Sequence, residues 1–413
     1  MSFSFLLRTF EAGESRRFKG VEQLSQQSFR ELGVSARVVD ALAAHSIHAP
    51  FPVQSLVLPD AIAGLDVLAK SQTGSGKTLA FAIPIVERTT ASDRRPSALV
   101  LVPTRELALQ VTAEFAALAP ANGLRVAAVY GGAPLRSQAE RARTAHILVA
   151  TPGRLQDLAD RRMIDLSAIK ILVLDEADRM LDMGFKPQVD KIVRLVPKNR
   201  QTMFFSATLD GEVGTLARSY TSSPSHFESE PPADREYGDI AHRFVAVRPD
   251  TKLETLVEHI RENDGRTLVF VRTKRGADKL VRKLAFHQVD AVAMHGDLSQ
   301  SVRQRALQWF SSGKVPVLVA TDVAARGLDI DDIAHVINYD PPDEDKGYVH
   351  RTGRTGRAGR SGIAITFVLP DQQEETSRVA NRLGHREQFE EAGLRTARPR
   401  LVYTSRRGRR SKW

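Results

Sequence analysis

Short runs of apolar and β-branched residues alternate with longer mixed stretches along two parts of the chain. In the first part, such runs occupy residues 67–69, 98–102, 125–129, 147–150, 171–174 and 202–205. In the second part, they occupy residues 243–247, 267–271, 291–294, 317–320, 336–339 and 363–368. Helices cover both faces of a parallel sheet, so its strands read as continuous apolar runs. The pattern therefore predicts two α/β domains.

A polar segment rich in proline and serine, residues 221–238, separates the two alternating parts. Such a composition is typical of a linker. We therefore expect a first domain over residues 26–220 and a second over residues 239–394. Residues 1–25 show no clean periodicity and are predicted to be an N-terminal extension, and residues 395–413 are predicted to be a basic tail.

Composition agrees with two globular domains. The chain has 413 residues, 42% of them hydrophobic and 26% charged, which is typical of soluble protein and longer than one core usually serves. It contains no cysteine, which excludes disulfides and cysteine-based zinc sites. No apolar run approaches the length of a membrane span. We therefore expect a cytoplasmic protein with no membrane partner.

The formal net charge of +10 is concentrated at one end of the chain. Residues 395–413 contain eight basic residues and no acidic residue, so the remainder is nearly neutral. A polycationic tail is typical of chains that bind a phosphate backbone or an acidic surface. The alternative is a solvated end that binds nothing specific.

One octapeptide follows the apolar run 67–69 and precedes a helical stretch. Its residues are Ser71, Gln72, Thr73, Gly74, Ser75, Gly76, Lys77 and Thr78. A strand, a glycine-containing loop and a helix in this order let backbone N–H groups converge on a phosphate. Lys77 would reach the β- and γ-phosphates, and the Thr78 hydroxyl would hold Mg²⁺. The alternative is an ordinary glycine-rich turn.

Acidic side chains follow the apolar run 171–174. Taken alone, Asp175, Glu176 and Asp178 are typical of a helix N-terminus and its first turn. The phosphate loop upstream favours a different interpretation, in which Asp175 holds Mg²⁺ and Glu176 orients and deprotonates the attacking water. Ser206 and Thr208 follow another strand, and their hydroxyls could connect the acidic cluster to the rest of the site or form a plain turn.

In the second part, residues 350–360 place arginines at intervals of three among glycines. The glycines disfavour a stable helix. One interpretation is a basic surface loop. The other is that Arg354 or Arg357 enters the phosphate site as an arginine finger, which is worth about 10³–10⁵ in rate.

These segments, in this order, resemble those of the DEAD-box RNA helicases, and the similarity covers about residues 26–394. The resemblance implies two tandem RecA-like domains, ATP and Mg²⁺ as cofactors, and RNA as partner. Phe29 and Gln54 resemble the adenine-reading segment, and residues 71–78 resemble the phosphate loop. Residues 175–178 resemble the motif that names the family. Residues 206–208 resemble its coupling motif, in which Asp178, Ser206, Thr208 and His350 would take part.

The same resemblance implies RNA contacts and a closing nucleotide contact. In the first domain, the matching RNA residues are Pro103, Thr104, Arg105, Gly132, Thr151 and Arg154. In the second domain, residues 269–271 and Arg303 match RNA-facing segments, and Thr321 matches a segment that touches RNA and nucleotide. Asp329 matches the position that contacts the ribose. Arg354 and Arg357 match the arginine-finger motif.

Several positions depart from the family pattern. Ser71 stands where alanine is usual, Phe51 stands where a small residue is usual, and Ile47 takes a place often held by an aromatic residue. These changes bear on how adenine is contacted. Thr352 stands where an apolar residue is usual, beside the finger.

The implied activity is RNA-stimulated ATP hydrolysis coupled to lobe closure and local unwinding of short duplexes. Contacts would go mainly to phosphates and 2′-hydroxyls, so binding would not depend on RNA sequence. An ATP-gated RNA clamp, serving as an assembly platform with little unwinding, uses the same motifs and remains an alternative. Factors of ribosome assembly and of mRNA decay are both open as partners.

Overall fold

The computed structural model describes residues 27–71, 75–228, 239–325, 333–356 and 360–397. The chain divides into two compact units between Pro232 and Ala233, inside the segment that composition predicts as a linker. The following predicted features lie outside the described residues: the extension 1–25, the tail from residue 398 onward, Gln72, Thr73, Gly74, Asp329 and Arg357.

The first unit is built on a parallel sheet of seven strands. Their order across the sheet is β3-β4-β2-β5-β6-β1-β7. The strands are β1 (Val67–Lys70), β2 (Ala98–Leu101), β3 (Val126–Val129), β4 (Ile147–Ala150), β5 (Ile171–Leu174), β6 (Gln201–Ser206) and β7 (Ser225–Glu228).

Helices connect these strands and cover both faces of the sheet. They are α1 (Ala36–Ala44), α2 (Pro52–Ala63), α3 (Lys77–Arg88), α4 (Arg105–Leu118), α5 (Leu135–Thr144), α6 (Pro152–Asp160), α7 (Ala177–Asp182), α8 (Lys186–Leu195) and α9 (Gly211–Tyr220), with a 3₁₀ turn at Ala119–Asn122.

Successive residues of each central strand enter different cores. In β2, Ala98 and Val100 belong to one hydrophobic cluster, whereas Leu99 and Leu101 belong to a second. This alternation follows from the two-residue period of a strand and explains why β2 is apolar at every position. Both faces of the first sheet are therefore buried.

Strand β7 lies within residues 221–238, which composition predicts as linker. It pairs in parallel with β1, with Val67 opposite Ser225, and only its partly buried Phe227 packs on the core. Side chains of β7 alternate between intermediate and exposed, as expected of an edge strand held mainly by its backbone. The first sheet therefore extends to Glu228, and the linker prediction is wrong over these four residues.

The second unit contains a parallel sheet of six strands in the order β10-β11-β9-β12-β13-β8. The strands are β8 (Ile240–Ala246), β9 (Arg266–Phe270), β10 (Ala291–Met294), β11 (Val317–Ala320), β12 (Ile333–Asn338) and β13 (Gly362–Val368). Its helices are α10 (Lys252–Glu262), α11 (Lys274–Phe286), α12 (Gln300–Ser311), α13 (Asp322–Ala325), α14 (Asp345–Thr352), α15 (Gln373–Arg382) and α16 (Arg386–Glu391).

The second sheet is also buried on both faces. In β9, Val269 enters one cluster, whereas Leu268 and Phe270 enter the other. Among the described residues, no helix is long and apolar enough to cross a membrane. The predicted α/β architecture with two parallel sheets is confirmed.

Several helices begin directly after a strand with a hydroxyl side chain as N-cap. Thr104 accepts a hydrogen bond from the Leu107 N–H at the start of α4, and Thr273 accepts one from the Gly276 N–H at the start of α11. Such caps satisfy N–H groups that have no partner inside the helix. They fix helix N-termini at the carboxyl edge of each sheet, where ligands of open α/β sheets bind.

Candidate nucleotide and RNA sites

Ser206, at the end of β6, joins two predicted segments of the nucleotide site. Its carbonyl accepts a hydrogen bond from the Ser71 N–H at 2.9 Å. Its hydroxyl accepts one from the Asp178 N–H at 3.3 Å, and the residue is fully buried. Since β6 lies between β5 and β1, Ser206 fixes the spacing between the acidic segment and the phosphate loop.

The described part of the phosphate loop folds back on its own lysine. Lys77 begins α3 and is only 7% exposed, and its Nζ donates to the Ser71 carbonyl at 3.0 Å. The Ser71 and Ser75 hydroxyls lie 2.5 Å apart, so the serine that replaces the usual alanine acquires a partner within the loop. Thr78 is the second residue of α3 and is partly exposed. The loop therefore presents an ammonium group beside a helix N-terminus, a suitable arrangement for phosphate.

Gly76 occupies a position that no other residue fits well. Its φ is 86°, in the left-handed region. A Cβ there would lie 2.8 Å from Gln54 Nε2 and 2.8 Å from Phe51 Cδ2. Gln54 Nε2 also donates to the Gly76 carbonyl at 2.9 Å. The adenine-reading segment and the phosphate loop are thus in direct contact, and the unusual Phe51 ring lies against the loop.

Gln54 and Phe29, the two residues assigned to adenine contact, differ in setting. The Gln54 Oε1 accepts a hydrogen bond from the Phe51 N–H at 2.9 Å, which fixes the orientation of its amide. Phe29 is 2% exposed and belongs to the hydrophobic core. The structure therefore gives Phe29 a packing role and leaves little of its surface for stacking on a base.

Asp175 is a buried carboxylate at the end of β5. It is 3% exposed, and its Oδ1 accepts a hydrogen bond from the Glu176 N–H at 2.9 Å. Burial raises the pKa of Asp175 to about 6, against the opposing effect of Lys77, while Glu176 and Asp178 add to the increase. A bound cation would lower this pKa by favouring the charged form. The site is therefore suited to receive a metal ion.

Glu176 is held in an unusual backbone conformation. Its φ and ψ are 51° and 49°, in the left-handed region, where non-glycine residues are uncommon. Its Oε2 lies 2.5 Å from Arg179 Nη1, and both side chains are nearly buried. The ion pair joins this carboxylate to the third residue of α7, and Arg179 balances its charge. Sequence reasoning missed Arg179.

No group of three or more acidic or histidine residues that could hold a metal is found in the described parts of the chain. Magnesium bound to nucleotide would not need such a group, because Mg²⁺ usually takes one or two protein oxygens together with phosphates and water. Asp175 and Thr78 are the residues that would supply those oxygens. Thr208, the other hydroxyl of the predicted coupling motif, is exposed and forms no hydrogen bond with the acidic residues in the part of the chain that the structure describes.

Three predicted RNA residues of the first unit meet at one turn. Gly132 has φ of 88°, and a Cβ there would lie 2.3 Å from Arg105 Nη1. Arg154 donates from Nη1 to the Ala133 carbonyl at 2.8 Å. Arg105 begins α4, and Arg154 lies in the first turn of α6. The guanidinium groups of Arg105 and Arg154 therefore both lie against the turn after β3, close to the N-termini of α4 and α6.

Pro103, Thr104 and Thr151 lie at the same edge of the sheet and are largely buried. Thr104 caps α4. The Thr151 N–H donates to the Val129 carbonyl at 2.9 Å. The Thr104 side chain and the Thr151 backbone therefore fix the loops after β2 and β4, next to the two arginines.

In the second unit, two predicted RNA residues meet the end of β10. Arg303 Nη1 donates to the His295 carbonyl at 3.2 Å, and the Thr321 N–H donates to the Met294 carbonyl at 3.2 Å. Both residues are nearly buried, at 6% and 8% exposure. The structure therefore brings these two predicted segments together.

Arg351 is the centre of a buried polar network that sequence reasoning missed. Its Nε and Nη2 contact the two carboxylate oxygens of Asp322 at 2.6 and 2.7 Å. Its Nη1 donates to the Asp340 carbonyl at 2.6 Å and to Asn338 Oδ1 at 3.2 Å. The guanidinium also lies 5.0 Å from the Phe270 ring centre. The network ties α14 to α13 and to the ends of β9 and β12.

This network positions the helix that leads into the predicted arginine finger. His350 is exposed, whereas Arg354 is 8% exposed and its Nε donates to the His350 carbonyl at 3.4 Å. Thr352 is buried, and its hydroxyl donates to the Tyr348 carbonyl at 3.0 Å. The threonine that replaces an apolar residue is therefore satisfied inside its own helix.

The fold and these two sites define a two-domain nucleotide-binding protein of the α/β class. The chain matches the family model described as DEAD/DEAH box helicase over residues 51–216. It matches the helicase conserved C-terminal domain over residues 251–359.

Curated relatives agree with the family models. The chain is 41% identical over 348 residues to a DEAD-box ATP-dependent RNA helicase CshA of Streptococcus pneumoniae, covering 83% of this chain and 66% of that protein. It is 40% identical over 349 residues to an ATP-dependent RNA helicase CshA of Limosilactobacillus reuteri, covering 84% of this chain and 70% of that protein. The chain thus spans about two thirds of the length of these relatives.

A solved structure gives the same result for the fold. Dbp5 of S. cerevisiae bound to RNA and ADP BeF3 has a TM-score of 0.74 and 30% identity, covering 90% of this chain and 95% of that chain. The chain belongs to the DEAD-box ATP-dependent RNA helicases, and the predicted tandem RecA-like fold is confirmed.

Proposed function

We propose that this protein hydrolyses ATP when RNA is bound and uses the resulting closure of its two lobes to separate short RNA duplexes. The observation that carries the proposal is the arrangement around Ser206, whose carbonyl and hydroxyl hold the phosphate loop and the acidic segment side by side. Lys77, Asp175 and Glu176 are all nearly buried at that edge.

The residues of the first unit divide the chemistry among them. Lys77 and the N-terminus of α3 bind and orient the phosphates, and Gln54 reads the adenine next to them. Asp175 and Thr78 would hold Mg²⁺, which would supply positive charge to the transferred phosphoryl group. Glu176 takes a proton from the attacking water, and its ion pair with Arg179 orients its carboxylate.

The second unit supplies the remaining contacts. We assign Arg354 and Arg357 to the γ-phosphate as arginine fingers and Asp329 to the ribose. Nucleotide and RNA affinity are then coupled, because both ligands favour the closed arrangement of the lobes. Support comes from the Arg351 network, which connects the helix of the finger motif to Asp322, next to the RNA residue Thr321.

RNA contacts on each unit are directed at the backbone. Arg105 and Arg154 would bind phosphates of one strand on the first unit, and Arg303 and Thr321 would continue this path on the second. Binding of this kind depends little on base sequence. A strand bent by closure cannot stay paired, so binding energy is used to release its complement.

The assignment of Lys77 to the phosphates of ATP is tested with Lys77→Ala in the full chain. We expect loss of ATP binding and turnover, measured with a fluorescent nucleotide and by phosphate release. Lys170→Ala is the matched control. Lys170 lies just before the first residue of β5, at the end of the strand that is far from Asp175, and its side chain is 62% exposed and paired with Asp93. Retained turnover in Lys77→Ala, or equal loss in the control, would reject the assignment.

The role of Glu176 is tested with Glu176→Gln. We expect ATP binding to persist, hydrolysis to be lost, and RNA to dissociate slowly in the presence of ATP. The control variant Glu212→Gln changes an exposed acid in the first turn of α9 and should behave as wild type.

A second experiment distinguishes unwinding from an RNA clamp by comparing strand separation with RNA release in single turnovers. A clamp would hold RNA long after one strand could have left.

A further inference from the structure

The outer face of helix α11 carries a row of cations that ends in an exposed aromatic ring. Lys279, Arg282 and Lys283 are exposed, and Phe286, the last residue of the helix, is 89% exposed. We call these four residues the α11 stripe. A phenylalanine so fully exposed beside three cations is not explained by packing and suggests a ligand.

The positions of these residues follow from helix geometry. At 3.6 residues per turn, Lys279, Arg282 and Phe286 fall within an arc of roughly 60°, and Lys283 lies about 40° to one side. The buried residues of the helix, Ala277, Leu280 and Leu284, lie on the other side. The stripe is therefore one continuous surface.

Within the described residues, no cation of the stripe forms an ion pair with a carboxylate. The ion pairs of α11 are made by Lys274 with Asp297 and by Asp278 with His295. Arg282 donates from Nε to the Asp278 carbonyl, and Lys279 and Lys283 form no ion pair in this part of the chain. A further cation lies beyond Phe286, because Arg261 donates to the His287 carbonyl at 2.6 Å.

We propose that the α11 stripe binds RNA that extends beyond the helicase motifs, with phosphates on its cations and one base stacked on Phe286. The inference rests on the proposed RNA-dependent function. Single strands are bound in this way elsewhere, by a cationic path with aromatic rings along it. A protein partner fits less well, because interface cores are depleted of lysine and need a larger apolar area than one ring.

The helix that carries the stripe follows a segment that is predicted to face RNA. Helix α11 begins at Lys274, three residues after the segment 269–271 that resembles an RNA-facing motif. Its 13 residues extend about 20 Å, which is about six nucleotides at 3.4 Å each. Phe286 thus lies at the far end of the helix, so only RNA longer than the motif-bound segment would reach it.

The test uses the full chain and unstructured RNA of about 10 and about 40 nucleotides, lengths below and above a combined site. The first variant combines Lys279→Gln, Arg282→Gln and Lys283→Gln. For the long RNA, we expect the slope of log affinity against log salt to fall by about 2, since each lost phosphate contact contributes about 0.7 for single strands. The short RNA should bind as it does to wild type.

The second variant, Phe286→Ala, should weaken long-RNA binding by about fivefold or more, because one base stack is lost. Phe286→Trp keeps a stacking surface and should retain the affinity. All these side chains are exposed, so unchanged thermal unfolding is expected and serves as the check on folding.

A matched control is available on the first unit. Helix α8 carries the exposed residues Lys191, Arg194 and Leu195, followed by Lys198, and Leu195 is 49% exposed. Substituting the three cations by Gln removes the same charge as in the α11 variant, and Leu195→Ala removes an exposed apolar side chain. We expect neither change to affect long-RNA binding.

Three outcomes would overturn the proposal. Equal losses with the α8 variants would indicate a general charge effect, and equal losses on the short RNA would place the residues in the motif site. An unchanged RNA affinity with altered self-association in Phe286→Ala would identify a second copy as the occupant. The proposed function fails separately, if wild type shows no ATP hydrolysis stimulated by the short RNA.

Discussion

Removing the guanidinium of Arg351 should destabilise the second unit far more than removing an equivalent group from its surface. Arg351 is 4% exposed and makes a bidentate pair with Asp322 as well as two further hydrogen bonds. The variant Arg351→Gln leaves the Asp322 carboxylate and the Asp340 carbonyl without their donors. The Asp322 side chain is 34% exposed, so we expect a cost of roughly 2–3 kcal/mol, below the cost of about 3–5 kcal/mol for breaking a fully buried pair from one side.

The same unit contains a matched control. Arg382 and Asp345 form a bidentate pair of the same geometry, with distances of 2.6 and 2.8 Å. Their side chains are 54% and 35% exposed, so Arg382→Gln should cost only about 0.2–1 kcal/mol. The two substitutions change the same chemical group; they differ in the burial of the arginine and in the two further hydrogen bonds that Arg351 makes.

Urea unfolding followed by tryptophan fluorescence measures the difference. The chain has two tryptophans, and Trp309 lies in α12 of the second unit, so a Trp413→Phe background makes it the single reporter. We expect the Arg351→Gln curve to shift by several times the shift of Arg382→Gln. The pair Arg351→Gln with Asp322→Asn should cost less than the sum of the single changes, because neither charge is then left unpaired.

Two results would refute this reasoning. An Arg351→Gln cost no larger than that of Arg382→Gln would show that burial does not set the energy of the pair. Additive costs of Arg351→Gln and Asp322→Asn would show that the two groups are not coupled in solution, despite their distances of 2.6 and 2.7 Å.

Three further outcomes are expected. Gly76→Ala should weaken ATP binding roughly tenfold, since a left-handed φ costs about 1–2 kcal/mol and the methyl would displace Gln54. The control Gly33→Ala, with φ of 91° but open space, should bind ATP normally. Normal ATP binding by Gly76→Ala would contradict the contact between Gly76 and Gln54. Burial lowers the pKa of His242 to about 4, so between about pH 6.5 and 4 the unfolded state binds more protons than the folded state. The stability of the second unit should therefore fall as the pH falls through this range. Urea unfolding at several pH values should show a smaller fall in His242→Gln. Deleting residues 395–413 should weaken RNA binding and reduce its salt dependence, while RNA-free ATP hydrolysis is unchanged. If the slope of log affinity against log salt is identical with and without these residues, the tail does not contribute to RNA binding.

Most strands could be predicted because their apolar character comes from burial on both faces. The runs 147–150, 171–174, 291–294 and 317–320 match β4, β5, β10 and β11 at both ends. Strand β7 escaped prediction because it is held by backbone pairing at the sheet edge. The Ser225 N–H donates to the Asp66 carbonyl at 2.8 Å, and such a bond leaves no signal in side-chain pattern.

The candidate nucleotide site could be located from sequence for a similar reason. Its residues follow directly after strands, and the carboxyl ends of parallel strands meet at one edge. What sequence could not supply is the contact between segments far apart in the chain. Phe51 reads as a departure from the family, and only the fold shows that its ring lies against Gly76.

The Arg351 network shows where sequence reasoning reaches its limit. Asp322 and Arg351 each lie inside a recognisable segment, but 29 residues separate them, and neither segment alone indicates a partner. Their pairing follows from the strand order, because β9 lies between β11 and β12 and the carboxyl ends of these parallel strands meet at one edge of the sheet. A motif can therefore be read for its ligand-facing residues, whereas the residues that hold one motif against another follow from the strand order and must be found in the fold.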